Sequence, residues 1–242
     1  MLLAFDTATA ATTVALAAPD KVRELTRVDG TRHAEHLTPM IAELFADADL
    51  TPRDLAGIVV GVGPGPFTGL RVGIATAIAM SHTLGIPLAG LSTLDVLAYQ
   101  AGGPVTVATR ARRVEVFWAD YDEQGSRIAG PLALADEIAA ARMGARCAGD
   151  AAHGLLTSND AQAVEVEFPS AASMISLLRE RFSLGESWPQ GDVGPQIYLE
   201  DAASQGGATS DALSRWTAMG RVVLPARPLY LRRPDAVATA QR

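Results

Sequence analysis

Ile58-Val59-Val60-Gly61-Val62-Gly63-Pro64-Gly65-Pro66-Phe67-Thr68-Gly69-Leu70-Arg71-Val72-Gly73 is the stretch whose reading decides the fold. Its β-branched opening predicts a buried strand, its centre a loop stiffened by two prolines, and residues 70–84 a helix. Glycine amides at a strand-to-helix junction can hold an anion, and the helix dipole favours one there. The loop is nevertheless no phosphate loop. GxxxxGK-S/T needs a lysine, and GxGxxG counted from Gly63 fails because Thr68 takes the last glycine's place. The helix is unusual: Leu70, Val72, Ile74, Ala75, Ala77, Ile78, Ala79 and Met80 spread around its whole circumference. One face packs on its own sheet, and the other calls for a second body, either the rest of this chain or another protein.

Upstream, residues 2–5, 12–18 and 22–28 read as a β-meander that turns at Asp6-Thr7-Ala8-Thr9. From His33 to Ala48, Leu37, Met40, Ile41, Leu44, Phe45 and Ala48 recur at helical spacing. Pro39 lies inside that run, so the helix either starts at Thr38-Pro39 or is kinked there. Downstream come a strand over 86–89 and a helix over 92–101, and Gly102-Gly103-Pro104 marks a lobe boundary. Val105–Ala108 and Val114–Ala119 alternate like paired strands around the basic turn of Arg110, Arg112 and Arg113. Residues 134–141 and 170–182 read as helices and Ala145–Ala148 as a short strand, while the pattern weakens into an irregular insertion over about 185–224. The organisation expected is a first lobe over 1–102, a second over 103–226 and a closing segment over 227–242 that packs back on the first lobe.

The 242 residues, 48% of them hydrophobic, are enough for two lobes with their own cores. Cys147 stands alone, so no internal disulfide forms, and a reducing cytoplasm is the expected location. A net charge of −7 makes the chain a poor nucleic-acid binder by itself. Lys21 is the single lysine and sits in a polar turn, which argues against Schiff-base and phosphate-loop chemistry. Met1-Leu2-Leu3-Ala4-Phe5 lacks the basic flank and long apolar run of a secretory signal. Val72–Leu94 lacks Asp, Glu, Lys and Arg, but Gly85-Ile86-Pro87 cuts it, against a membrane span.

His33 and His36, with Glu35 between them, invite a metal reading, but a third ligand is missing and exposed helix-start histidines are expected. Asp6, Thr7, Gly63, Gly65 and Thr68 form either a set of structural turns or a vestigial anion or nucleotide site. The arginine turn is solvated surface or an anion or RNA contact.

Leu3-Ala4-Phe5-Asp6-Thr7-Ala8, His33-Ala34-Glu35, Gly63 to Gly73, Ser92-Thr93-Leu94 and Pro228-Leu229-Tyr230-Leu231-Arg232 together resemble the TsaB (YeaZ-like) family. That resemblance implies an α/β fold of two actin-like ATPase lobes, each a mixed sheet with flanking helices. It also implies a non-catalytic partner of the paralogous transferase TsaD, which threonylcarbamoylates adenosine 37 of tRNAs reading ANN codons, with the ATPase TsaE joining them. No cofactor and no metal are expected in this chain, tRNA is reached only through the complex, and a homodimer is plausible in isolation. In this family two helices of the first lobe pair with the equivalent two of the partner. The contact residues expected here are Leu37, Met40, Ile41 and Leu44 on the first helix and Gly73, Ile74, Ala77, Ile78 and Ser81 on the second. The chain departs from the family in having Arg110-Ala111-Arg112 where Asp-Ala-Arg is usual, and in the insertion. A self-sufficient actin-like nucleotide-hydrolysing enzyme is the alternative, and a metallopeptidase a remote third.

Overall fold

The computed structural model describes residues 1–18, 21–156, 161–183, 224 and 226–231, so the insertion expected at 185–224 lies outside it save for Leu224. The first sheet contains β1 (Leu2–Asp6), β2 (Ala11–Ala17), β3 (Val22–Val28), β4 (Gly57–Gly61) and β5 (Leu88–Leu91), in the order β3-β2-β1-β4-β5. The first three strands are an antiparallel meander, and β4 and β5 join in parallel through crossover helices. Alternation along the central strands sends large side chains to one face and small ones to the other. Leu3, Phe5, Ile58 and Val60 pack under α1 (His33–Ala48) and α2 (Phe67–Leu84). Ala4, Ala15, Val59 and Ala89 lie on the opposite face, where small side chains admit further helices.

α1 runs from His33 through Pro39, which lies on the exposed side, so a start at Thr38 is not used. α2 begins at Phe67, directly after Pro66, and ends on Gly85, whose φ of 65° suits a residue without a Cβ.

The second sheet comprises β6 (Val105–Arg112), β7 (Glu115–Tyr121), β8 (Arg127–Ala135), β9 (Arg146–Ala148) and β10 (Gln162–Ala163), in the order β10-β9-β6-β7-β8. α3 (Thr93–Ala101) lies between the lobes: Val96 packs into the first, Leu94, Leu97 and Ala98 into the second. Both its ends are bolted. At the amino end Asp95 accepts the Tyr121 hydroxyl at 2.6 Å and faces Arg127 at 3.5 Å. At the other end Arg146 donates to the Ala101 and Gly102 carbonyls, satisfying acceptors a helix leaves open. The remaining helices are α4 (Asp136–Ala140), α5 (Ala152–Leu155) and α6 (Ala171–Ser183). Residues 134 and 135, expected to be helical, belong to β8.

α6 corrects the expected lobe boundary. Placed by sequence in the second lobe, it lays Met174, Ile175, Leu177 and Leu178 on the small-residue face of the first sheet. Its amino end is held by Glu24 of β3, whose carboxylate accepts the Ala171 amide at 2.6 Å and the Ser170 hydroxyl at 2.9 Å. Glu24→Ala is expected to cost about 1 kcal/mol in urea unfolding, with Glu24→Gln losing less because an amide oxygen still caps the helix. Of the closing segment expected over 227–242, residues 227–231 are described: the Leu229 amide donates to the Val62 carbonyl at 2.8 Å, while Leu231 packs against the core beside the second sheet, and upstream of the segment Leu224 bridges Gly90 of β5.

Candidate partner-binding face and a sealed hairpin joint

The β1–β2 turn and the glycine loop meet directly. Asp6 is fully buried; its carboxylate accepts the Ala8 amide at 2.6 Å and the Thr93 hydroxyl at 2.7 Å. The Thr7 hydroxyl donates to the Gly69 carbonyl at 2.8 Å and accepts the Gly73 amide at 3.2 Å. The Gly63 carbonyl accepts the Thr93 amide at 2.8 Å. The glycines are required by contact: a Cβ on Gly61 would overlap the Asp6 carboxylate, one on Gly65 the Ala8 carbonyl, and one on Gly73 the Thr7 hydroxyl. Of the five residues expected as an anion or nucleotide site, Asp6, Thr7, Gly63 and Gly65 therefore come together, but the Asp6 carboxylate, the Thr7 hydroxyl and the Gly63 carbonyl are engaged with Ala8, Thr93 and α2. Thr68 is exposed at the start of α2. What the geometry builds is a joint that fixes α2 to the hairpin.

Burial pushes the Asp6 carboxyl up, against the Thr93 and Ala8 bonds that hold it down. The folded chain thus holds this proton more tightly than the unfolded chain does. The group's contribution to stability is greatest in acid, falls as pH rises from about 4 through the folded pKa, and is level above it. Asp6→Asn abolishes that dependence, so the stability of wild type relative to Asp6→Asn should decline from acid to neutral pH in urea titrations. Asp6→Ala should cost about 2–3 kcal/mol, because two buried donors lose their acceptor.

His33 corrects a second expectation. It is buried rather than exposed, its Nδ1 lies 2.8 Å from the Thr12 hydroxyl, and burial pushes its pKa down. Its neighbour His36 faces Asp29 at 3.6 Å. Among the described residues no three metal-ligating side chains converge. In the basic turn, Arg110 is paired with Asp136 at 2.7 Å and its amide donates to Asp150, while Arg113 is exposed. Cys147 is buried. No helix among the described residues is long and apolar enough to cross a membrane.

The nine residues expected to touch a partner are all buried by the chain itself. Leu37, Met40, Ile41, Leu44, Ile74, Ala77 and Ile78 belong to the core under the first sheet, none more than 7% exposed. The Ser81 hydroxyl donates to the Ile86 carbonyl, and Gly73 is small because Thr7 lies against it rather than to admit a partner helix. The outer row left bare is a different one. On α2 it runs through Thr68, Ala75, Ala79, His82 and Thr83, flanked by half-buried Arg71, Val72, Thr76 and Met80. On α1 it runs through Thr38, Pro39, Ala42 and Ala46, flanked by exposed Glu35, Glu43 and Asp47. Apolarity alone could not choose between the two stripes. The signal in the sequence is the row of mostly small residues without a carboxylate on α2, which no sheet-facing helix needs on its solvent side.

The sequence pattern of the family described as "TsaD: tRNA N6-adenosine threonylcarbamoyltransferase" matches residues 27–179. An uncharacterized protein of Mycobacterium tuberculosis is 48% identical over 133 residues, 54% of this chain and 63% of that protein. The tRNA threonylcarbamoyladenosine biosynthesis protein TsaB of Escherichia coli is 34% identical over 131 residues, 51% of this chain and 57% of that one. The chain thus spans less than two thirds of the length of these curated relatives. The solved structure of YeaZ from Pseudomonas aeruginosa superposes with a TM-score of 0.67 at 29% identity, covering 76% of this chain and 92% of that one. The fold is accordingly of the two-lobed actin-like kind.

Proposed function

We propose, because the chain belongs to the TsaD family and is TsaB-like within it, that it acts in tRNA threonylcarbamoyladenosine biosynthesis as a non-catalytic subunit. In this reading it binds and activates a TsaD transferase for N6-threonylcarbamoylation of adenosine 37 in tRNAs reading ANN codons. The observation that carries the proposal is the outer row of α2, mostly small, without a carboxylate, and left uncovered on a helix whose inner row already holds the core. TsaD is the proposed occupant of that row, with α1 beside it. TsaE joins the pair, and the acidic chain leaves tRNA affinity to the assembly. The proposed setting is the cytoplasm, with self-pairing through the same face when TsaD is missing.

The hairpin joint supports the non-catalytic reading. Asp6 is bonded to Ala8 and Thr93, and Gly65 lies on Ala8 where close backbone approach to a phosphate would be needed. The deciding experiment is reconstitution of tRNA modification from TsaD, TsaE, threonylcarbamoyl-adenylate and tRNA, with and without this chain, read by mass spectrometry of nucleosides. Modification is expected to depend on the chain. Equal yields without it would overturn the reading, as would Mg-ATP turnover by the chain alone.

A further inference from the structure

Between Leu55 and Leu94 the sequence carries one fixed charge, Arg71, and two aromatic side chains hold it in place. Its guanidinium carbon lies 3.6 Å from the centroid of the Phe67 ring, one helical turn back. Its Nε donates to the Tyr230 hydroxyl at 3.2 Å. Tyr230 packs on Phe67 in turn, with ring centroids 5.1 Å apart. The returning segment that carries it is pinned by the Leu229 amide on the Val62 carbonyl. Arg71 is half-buried, and its two terminal nitrogens make no hydrogen bond or ion pair among the described residues.

An arginine on a helix whose terminal nitrogens have no acid among the described residues ordinarily samples many rotamers in water. Stacking on a ring and a bond to Nε remove most of that freedom and leave the forked pair of terminal nitrogens available, the group that binds a carboxylate through two parallel hydrogen bonds. Arg71 stands beside Val72 and one turn before Ala75, so it flanks the amino-terminal half of the outer row. A guanidinium ordered in advance, at the edge of a small apolar surface, is the kind of residue that fixes register and partner choice.

Resting on the reading of this face as the TsaD contact, the geometry points to Arg71 as its specificity-determining charge. Its free end pairs with an Asp or Glu on the facing helix of the partner, and the Phe67–Tyr230 clamp holds it ready. The partner's chemistry follows: a helix row of small or apolar residues with one carboxylate at the Arg71 end, and basic groups where Glu35 and Glu43 project from α1. The α2 helix of a second copy holds no carboxylate, so α2-on-α2 self-pairing leaves Arg71 unmatched.

The test measures binding of the full chain to TsaD from the same organism by calorimetry, with the melting curve of each free variant recorded. Arg71→Glu is expected to weaken binding by at least about 30-fold, Arg71→Lys by about fivefold because a point charge replaces the fork, and Tyr230→Phe by about threefold. Lysine substituted at one carboxylate of the facing TsaD helix should restore binding of Arg71→Glu. If Arg71→Glu lowers the melting point, Arg71→Gln keeps the stem on Phe67 and should still lose about tenfold. Ala75→Arg is the control for the face itself. If Ala75→Arg abolishes binding while the Arg71 variants bind like wild type, the assignment of Arg71 is overturned and the docking face stands. If Ala75→Arg also binds like wild type, the docking reading has failed first. A change in self-association alone, with TsaD affinity unmoved, would likewise overturn the assignment.

Discussion

Gly65→Ala is expected to lower the free energy of unfolding by about 3 kcal/mol, the upper end of what overpacking costs, or to leave the chain insoluble. The added methyl would overlap the Ala8 carbonyl and crowd the Ala8 side chain, and neither neighbour can yield. Ala8 is 2% exposed and its amide is fixed by the Asp6 carboxylate. The loop would have to lift off the hairpin, pulling Gly69 and Gly73 away from the Thr7 hydroxyl that joins them. Gly85→Ala is the matched control. Its φ of 65° disfavours a side chain, yet nothing lies within 4 Å of the position where a Cβ would stand. That variant should lose only about 1 kcal/mol. Urea unfolding of the two side by side separates contact from backbone conformation, and equal losses would contradict the sealed joint.

Ala75→Arg is expected to weaken TsaD binding by at least about 100-fold while leaving the melting temperature of the free chain nearly unchanged. Ala75 is exposed on α2, and arginine is a good helix former, so the free chain tolerates the change. Against a partner helix, the same side chain brings a long stem and an unpaired charge into a surface of alanine and threonine. Ile74→Ala, one residue away, is the converse. Ile74 is 1% exposed in the core under the first sheet, so its truncation should cost about 2–4 kcal/mol of stability. Pull-down with TsaD beside differential scanning fluorimetry reads both variants. Loss of stability in Ala75→Arg, or its absence in Ile74→Ala, would mean the two rows have been interchanged.

Strand, loop and helix over residues 58–84 were legible because glycine, proline and β-branched residues each restrict the backbone in their own way. The helical period of α1 was equally plain. Period identifies a stripe that faces something, but a sheet and a partner both demand apolar side chains, so Leu37 and Ile78 were read as contacts when they are core. Gly73 was open to the same confusion, since the group that needs its smallness, Thr7, lies 66 residues away along the chain. His33 depends on Thr12, 21 residues back along the chain. Gly130 and Pro131 interrupt the alternation of β8 and hide it from a pattern reading, and nothing in the order of the sequence tells that α6 leaves the lobe that precedes it.

The placement of α6 has a consequence for anyone cutting this chain. β6 to β10 are a guest inserted into a host whose last layer arrives only at residues 171–183. A fragment stopped at Gly102 would expose Ala4, Val59, Ala89 and Leu91 to water. It would also lack the bridge from Leu224 along the open edge of β5. During synthesis the same host must wait, half clothed, until the ribosome has made the guest and the helix behind it.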